Sequence, residues 1–378
     1  MGMLRLLLAA TVVFVHAGFP LGFPTINGSL AVQTFYMISG FYMALILNEK
    51  YTDQPHAYRL FLTNRLLRLL PVYYVVLSLT ILVAIGMMLT LGEPQLEFFR
   101  ALRYQADGLP LSAKTLLVLS NLTLIGQDWL SFLTVSPQTG ALVFSPDSTQ
   151  VYTNLNSLLM VQPGWTVSLE LTFYVFAPFL VRRRAWVLVL LIIGSAGLRI
   201  LFRQYAQLGG LAWSYRFFPF ELLFFLSGAL AYKAYRHLRG VALPGWLCPA
   251  ILAMALLLTA GFGLLHQYAV AGGMSAGLAS GLYRLAMACS LPFIFRATKN
   301  SLPDTRLGEL SYPLYLVHFL VYETLLAYGV PTTYLSLLTL ALSVWLAWAI
   351  NASVGKNVEK VRQRVFEQGS GQRRHSLS

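Results

Sequence analysis

The feature that most constrains the fold is a series of long apolar segments that recurs from one end of the 378-residue chain to the other. A helix needs about 20 mostly apolar residues to cross the roughly 30 Å hydrocarbon layer of a bilayer. Segments that approach this length are residues 4–20, 29–48, 66–91, 165–181, 185–202, 216–236, 246–267, 275–297, 309–328 and 332–352. The sequence therefore predicts an all-α fold, a polytopic membrane helix bundle with about ten transmembrane helices.

The composition agrees, because 57% of the residues are hydrophobic and only 11% are charged. A water-soluble protein of this length could not cover so much apolar surface. One further apolar segment, residues 112–133, is interrupted by Asn121, Gln127 and Asp128. We expect it to be a re-entrant or interfacial piece. Residues 1–352 are expected to form the transmembrane domain, and residues 353–378 a short basic cytoplasmic tail.

The net charge of +13 is distributed unevenly between the two sides of the predicted bundle. When alternate loops are assigned to opposite sides, one side carries 19 Lys and Arg residues and the other carries six. Cytoplasmic loops of membrane proteins carry an excess of Lys and Arg. The count predicts that both termini are cytoplasmic, and because it accounts for most of the positive charge, we expect no nucleic-acid partner.

Two ionisable residues lie in the first predicted span, where a side-chain charge is costly. Arg5 and His16 are eleven residues apart, close to three helical turns, so they share a face and lie roughly 16 Å apart along the helix axis. An arginine at the end of a span can simply anchor it at the membrane surface. A histidine can simply form a hydrogen bond between helices. Both interpretations stay open beside a functional one.

Other polar side chains fall in or beside predicted spans: Glu170, Tyr174, Arg199, Arg216, Glu221, Tyr315 and His318. Each of these residues alone could be an ion pair or a polar clamp between helices. Together with Arg5 and His16 they place two His, two Glu and several Arg residues in one bundle. That number exceeds what packing requires and indicates a functional site.

Five motifs carry a resemblance to a known family. Arg5 and His16 match its Arg-x10-His helix. Its "FFxxSGF" motif resembles "FYMISGF" at Phe35–Phe41, and its "RxxRIxPxY" motif resembles "RLLRLLPVY" at Arg65–Tyr73. Its "WSLSVExxFY" motif resembles "WTVSLELTFY" at Trp165–Tyr174, and its "SYxLYLxH" motif resembles "SYPLYLVH" at Ser311–His318. The chain resembles the integral-membrane acyltransferase-3 family over nearly its whole length. It departs at Gln33, where an acidic residue is common, and at Leu171, where the family often has a second Glu.

The resemblance implies a membrane O-acyltransferase of the glycan or exopolysaccharide type, located in a bacterial cytoplasmic (inner) membrane. The donor would be acetyl-CoA or another acyl-CoA, and the acceptor a glycan or lipid-linked saccharide. Membrane lipid is the remaining expected partner, and no metal or tightly bound cofactor is expected. Many members carry a soluble SGNH-type domain for which this chain has no room, so direct transfer to the acceptor is expected.

The resemblance also implies roles for individual residues. His16 would be the general base that takes the proton of the acceptor hydroxyl, and Glu170 would orient it or stabilise its imidazolium form. A covalent acyl-histidine is the alternative mechanism. Donor binding is assigned to Arg5, Arg65 and Arg68. A supporting polar core is assigned to Ser39, Tyr174, Arg199, Arg216, Glu221, Tyr315 and His318, and the loop 134–163 would form a lid over the acceptor.

Arg65 and Arg68 are three residues apart at a helix start, so they share a face and could hold phosphate. They could equally serve only to fix the topology. Two other functions also fit many spans with inward charges. One is a transporter of a glycan or small solute, which would need no acyl chemistry; internal inverted repeats in the sequence would favour it, and none is evident. A membrane scaffold would leave the buried ionisable residues without a role.

Overall fold

A computed structural model describes residues 1–52, 56–105, 108–136, 139–145, 153–205 and 211–369. The α-helices are α1 Gly2–Ala17, α2 Gly28–Glu49, α3 Ala57–Leu91, α4 Glu97–Gln105, α5 Leu111–Thr123, α6 Gly164–Leu180, α7 Ala185–Tyr205, α8 Leu211–Arg216, α9 Phe218–Leu238, α10 Leu247–Ala271, α11 Ala276–Thr298, α12 Leu302–Ala327, α13 Thr332–Ile350 and α14 Lys356–Gly369. The strands are β1 Leu133–Val135, β2 Leu142–Phe144 and β3 Thr153–Asn154.

Eight helical segments of the described chain are long and apolar enough to cross a membrane. They are α2, α3, α7, α8 with α9, α10, α11, α12, and α13 with α14. The two remaining predicted spans correspond to α1 and α6, which have 16 and 17 residues. At 1.5 Å per residue these helices are about 24–26 Å long, shorter than the hydrocarbon layer. The multi-span helical fold is confirmed, whereas the count of ten spans stays a prediction.

Helices α2 and α9 pack with their backbones in direct contact. A Cβ atom added at Gly40 would overlap the carbonyl group of Phe225, and one added at Gly228 would overlap the carbonyl group of Met37. Small residues allow membrane helices to approach this closely, and the dispersion attraction between the two surfaces then holds the pair together. Ser39, beside Gly40, is thereby fixed in position at the centre of the bundle.

Helices α1, α3 and α12 begin at the same end of the bundle. The backbone N–H groups of Gly2 and Met3 donate to the Asp304 carboxylate near the start of α12, at 2.6 and 2.9 Å. The Tyr312 hydroxyl donates to the backbone carbonyl of Leu69 in α3 at 3.0 Å. We call this end of the bundle the terminal side, and the opposite end, which carries the β-strands, the loop side.

The interrupted segment 112–133 forms two short helical pieces joined by a turn at the loop side. Helix α5 has 13 residues, too few to span a bilayer alone. The three polar residues that interrupt the segment are buried. Gln127 donates to the Tyr73 hydroxyl at 3.0 Å, and Asp128 accepts from Ser168 at 2.7 Å. These polar residues therefore attach the segment to α3 and α6.

The predicted lid, residues 134–163, is described in part. Strand β1 pairs antiparallel with both β2 and β3 in a small three-stranded sheet, and a 3-10 helix, Leu155–Leu158, follows β3. Residues 137–138 and 146–152 lie outside the described residues. The lid role stays a prediction.

The predicted tail is helical as far as Gly369. A π-helical segment, Asn351–Gly355, joins α13 to α14. The Phe366 ring packs edge-on against Tyr51, with ring centroids 5.6 Å apart, and the Lys50 ammonium lies 3.9 Å from the Phe366 centroid. The overall polarity of residues 353–378 conceals this apolar contact, so the sequence alone predicts a tail. Residues 370–378 lie outside the described residues.

Met1 and α14, the last described helix, lie on one side of the bundle, since both line the same cavity. We expect reporter fusions placed after Gly369 and at Thr139 to be on opposite sides of the membrane. If the charge count gives the correct orientation, the fusion after Gly369 is cytoplasmic and the fusion at Thr139 is external. Finding both fusions on one side would show that the predicted number of spans is wrong.

Candidate active site

The centre of the bundle holds a chamber of about 90 Å³, lined by both polar and apolar side chains, which we call the inner chamber. Its walls come from α1, α2, α3, α6 and α12. The Glu170 carboxylate lies in it and accepts two hydrogen bonds at the same oxygen, Oε1. The Ser39 hydroxyl donates one at 2.5 Å, and the Tyr174 hydroxyl donates the other at 2.5 Å. The carboxylate is therefore held in a fixed orientation by residues from α2 and α6.

The three predicted donor-binding arginines all line the inner chamber. Arg65 is buried, only 5% exposed, and its Nε atom has no hydrogen-bond partner in the described part of the chain. Arg5 is half-buried and Arg68 is exposed. The structure thus brings the guanidinium group of Arg5 together with those of the neighbouring pair Arg65 and Arg68, around a single carboxylate, Glu170. This excess of positive charge suits an anionic ligand.

A second, larger cavity of about 780 Å³ opens at the terminal side, and we call it the vestibule. Four residues line both the vestibule and the inner chamber: Arg5, Tyr42, Arg68 and Tyr312. We call these four residues the neck. Because these side chains belong to both linings, the two cavities are adjacent, and the neck lies between the vestibule and the chamber that holds Glu170.

His16 lies towards the loop side from the inner chamber, in the last turn of α1. The helix ends there because Gly18 has φ of 93°, a conformation that other residues rarely adopt. His16 is exposed, and its ring centroid lies 5.3 Å from those of His318 and Phe319. His16 does not line either cavity, so the expected site residues are divided between two levels of the bundle.

His318 is completely buried. Its Nδ1 atom lies 2.7 Å from the backbone carbonyl of Tyr315, and since a carbonyl can only accept, Nδ1 carries the hydrogen. Its Nε2 atom then has a lone pair, and it has no hydrogen-bond partner among the described residues. A buried acceptor without a partner, next to the exposed His16, is an unusual arrangement for a merely structural histidine.

Tyr315 lies between these two levels. It lines the inner chamber, and its ring centroid is 5.9 Å from that of His318. Glu170 is hydrogen-bonded to Ser39 and Tyr174, and the structure has no hydrogen bond between Glu170 and His16 in the part of the chain it describes. The partner that the structure places beside His16 is therefore His318.

Glu221 and Arg199, both assigned to the polar core, form a separate cluster away from the inner chamber. Glu221 is fully buried, and its Oε1 atom accepts from Gln33 at 3.1 Å and pairs with Arg199 at 3.5 Å. The side-chain oxygen of Gln33, Oε1, in turn accepts a hydrogen bond from Arg284 Nε at 2.7 Å. Sequence reasoning missed Arg284, although an arginine inside the predicted span 275–297 was a signal available in the sequence. Gln33 thus links helices α2, α9 and α11.

Arg216, the remaining residue of the predicted polar core, lies at the loop side of the bundle. Its Nη1 atom donates to the Ser131 hydroxyl at 2.8 Å, and its guanidinium carbon lies 4.5 Å from the Trp165 ring centroid. Arg216 therefore connects the segment after α5 with the starts of α6 and α9. This contact gives it a structural role at the loop side and separates it from the inner chamber.

A family model described as an acyltransferase domain matches residues 1–352. The chain belongs to the acyltransferase-3 family. No curated protein and no solved structure matches the chain. Membership of the acyltransferase-3 family supports acyl transfer at a membrane and agrees with the long apolar helices of an integral membrane protein.

The matched acyltransferase-3 region contains every residue of the inner chamber and the neck, together with His16 and His318. It ends before α14, which nevertheless lines the vestibule. Sequence reasoning about the family motifs also passed over Tyr42 and Tyr312 of the neck. Tyr312 lies inside the "SYPLYLVH" motif, so the motif itself indicated that Tyr312 belongs to the site. Tyr42 lies outside the motifs, directly after "FYMISGF".

Proposed function

We propose that this protein is a membrane O-acyltransferase that moves an acyl group, most simply acetyl, from acyl-CoA to a hydroxyl of a cell-surface or exported glycan. The observation that carries the proposal is the pair of adjacent cavities, a vestibule at the terminal side and an inner chamber that holds Glu170, which share two arginines in their linings and have a histidine pair beyond them. The negative phosphates of acyl-CoA complement the positive charge of these arginines. A hydroxyl acceptor needs a base near the thioester, and a histidine of the pair can supply it.

The terminal side is proposed to face the cytoplasm, where acyl-CoA is made, so the nucleotide of the donor enters the vestibule. Its acyl end passes the neck and enters the inner chamber. The acceptor, a glycan or lipid-linked saccharide, approaches from the loop side, where His16 is exposed. We place the protein in a bacterial cytoplasmic membrane with both termini inside.

In the proposed reaction the acceptor oxygen attacks the thioester carbonyl carbon. The new C–O bond forms as the C–S bond breaks, His16 takes the hydroxyl proton, and the CoA thiolate leaves and is protonated. Tyr315, which separates the inner chamber from the histidine pair, must yield for the acyl group to reach His16.

We propose that His318, and not Glu170, orients the imidazole ring of His16. The Nε2 lone pair of His318 can accept a hydrogen bond from His16 and so select its tautomer. Glu170, held by Ser39 and Tyr174, instead offers a fixed negative charge among the donor-binding arginines. Its proposed role is to position those arginines and the acyl end of the donor.

The decisive test uses the purified protein in lipid nanodiscs with radiolabelled acetyl-CoA and surface glycan extracted from cells that lack the gene. We expect release of the CoA thiol and labelled glycan, whose label is removed by mild alkali because it is an ester. A transporter without chemistry would release no thiol. Mass spectrometry of surface polysaccharide from cells with and without the protein would identify the acceptor. An unchanged acetyl content together with no thiol release would reject the proposal.

A further inference from the structure

The helix that follows the matched family region, α14, forms one wall of the vestibule. Its residues Lys356, Glu359, Lys360 and Gln363 line the cavity, and their i, i+3, i+4 and i+7 spacing places them on one helical face. Arg362 lines the vestibule beside them. The polar face of α14 is therefore directed into the cavity that leads to the inner chamber.

The position of α14 is set by two independent features. The π-helical segment Asn351–Gly355 joins it to α13, and such segments often coincide with functional sites. One turn beyond Arg362, Phe366 packs against Tyr51, under the Lys50 ammonium. The helix is thus fixed against the bundle by an apolar contact while it presents its charges to the vestibule.

The charges that line the vestibule do not balance among the described residues. Six cationic side chains line it: Arg5, Arg68, Lys299, Lys356, Lys360 and Arg362. Three carboxylates accompany them: Asp304, Glu309 and Glu359. The Asp304 carboxylate is engaged by the backbone N–H groups of Gly2 and Met3, and that of Glu359 by Arg362 at 2.5 Å. The cationic residues that remain favour a ligand with several negative charges.

Arg362 connects α14 with the neck. Its Nε atom is buried and has no hydrogen-bond partner in the described part of the chain, although its Nη1 atom bonds Glu359. It lies close enough to Arg68 for the two positive charges to repel each other. Both arginines line the vestibule, so an anion bound there could accept from the free Nε–H of Arg362 and reduce this repulsion.

We propose that α14 binds the phosphate-bearing nucleotide end of the acyl-CoA donor, with Lys360 and Arg362 as the contacting residues. This inference rests on the proposed function. If the acyl end occupies the inner chamber of about 90 Å³, the bulkier nucleotide stays in the vestibule of about 780 Å³, on the far side of the neck. α14 is the wall of the vestibule that supplies phosphate-binding side chains from outside the family region.

A phosphate group could also come from the head group of an anionic lipid at the same membrane surface. The two sources differ in one respect that an experiment can use. The donor carries its phosphates on the same molecule as the thioester, so its affinity depends on them in any bilayer. A lipid head group would be supplied only by an anionic bilayer.

The test measures the affinity of the full-length protein for acetyl-CoA and for S-acetyl-pantetheine, which has no phosphates, in nanodiscs of neutral lipid. Lys360→Gln with Arg362→Gln is expected to weaken acetyl-CoA binding by about tenfold or more. The affinity for S-acetyl-pantetheine is expected to stay unchanged. Arg364→Gln is the matched control, because Arg364 is on α14, is exposed and does not line the vestibule.

Four results would overturn the inference. Equal acetyl-CoA affinity in the double variant and the control would remove α14 from the donor site while the proposed function stands. Equal losses for both ligands would give α14 a structural role only. A loss seen only in nanodiscs that contain phosphatidylglycerol would assign the residues to lipid. Failure of the wild-type protein to bind acetyl-CoA at all would reject the proposed function together with this inference.

Discussion

Replacing His16 with alanine is expected to lower acyl transfer by about a hundredfold or more, with expression and membrane insertion near normal. His16 is the exposed imidazole beyond the inner chamber, and removing a general base typically costs this much in rate. Because His16 lies in the last turn of α1 and is not part of the buried core, the helix should still insert. The measurement is the initial rate of CoA release in the presence of acceptor, together with acetyl-CoA affinity, which should be unaffected.

The matched control is His266→Ala, which removes another membrane histidine that lines neither the inner chamber nor the vestibule. This variant should transfer acyl groups at the parent rate. His318→Asn supplies the complementary result, since asparagine retains an N–H donor for the Tyr315 carbonyl but lacks the Nε2 lone pair. We expect His318→Asn to lower kcat by about tenfold at an unchanged KM for the donor. A His16→Ala protein within a few-fold of the parent rate would reject His16 as the base.

The positions of Arg5 and His16 relative to each other could be predicted from sequence because both are on one helix. Helical geometry fixes the separation of two residues on one helix, and the structure places Arg5 at the neck and His16 in the last turn. The same holds for Arg65 and Arg68, which meet the same chamber from one face of α3. Local periodicity is thus sufficient wherever both partners belong to one element.

Contacts between elements could not be predicted in this way. Ser39 and Glu170 are 131 residues apart, and their hydrogen bond depends on how α2 packs against α6. Sequence spacing contains no information on that packing, and for the same reason it does not reveal that the His318 ring lies 5.3 Å from that of His16. The glycine contacts of α2 with α9, which fix Ser39, likewise become visible only in three dimensions.

Two omissions have a different cause, which is the averaging of hydropathy over long windows. Arg284 lies within an apolar segment whose mean hydropathy conceals a single charge, although the residue itself is evident in the sequence. α14 shows the opposite effect, since a few apolar residues such as Phe366 are concealed by its polar average. Reading individual residues against the helical period, in addition to the average, would have identified both.

The arginines of the inner chamber are expected to control donor affinity. Arg5→Gln, Arg65→Gln and Arg68→Gln should each weaken acetyl-CoA binding by about ten- to a hundredfold, equivalent to roughly 1.5–3 kcal/mol for a charge-assisted hydrogen bond. Arg65 should have the largest effect, because it is only 5% exposed and water cannot replace the lost contact. Glutamine keeps a polar side chain, so the loss reports the charge. The measurement is a titration of acetyl-CoA against each purified variant at several salt concentrations.

Arg59→Gln is the control that separates ligand binding from topology. Arg59 is on α3, near the same end of the helix as Arg65 and Arg68, but it is exposed and lines neither cavity. If these arginines served only to orient the protein, all four substitutions would behave alike, since one charge among 19 on that side has little influence on insertion. We expect Arg59→Gln to bind acetyl-CoA as the parent protein does. Unchanged donor affinity in all three chamber variants would show that these arginines do not hold the donor phosphates.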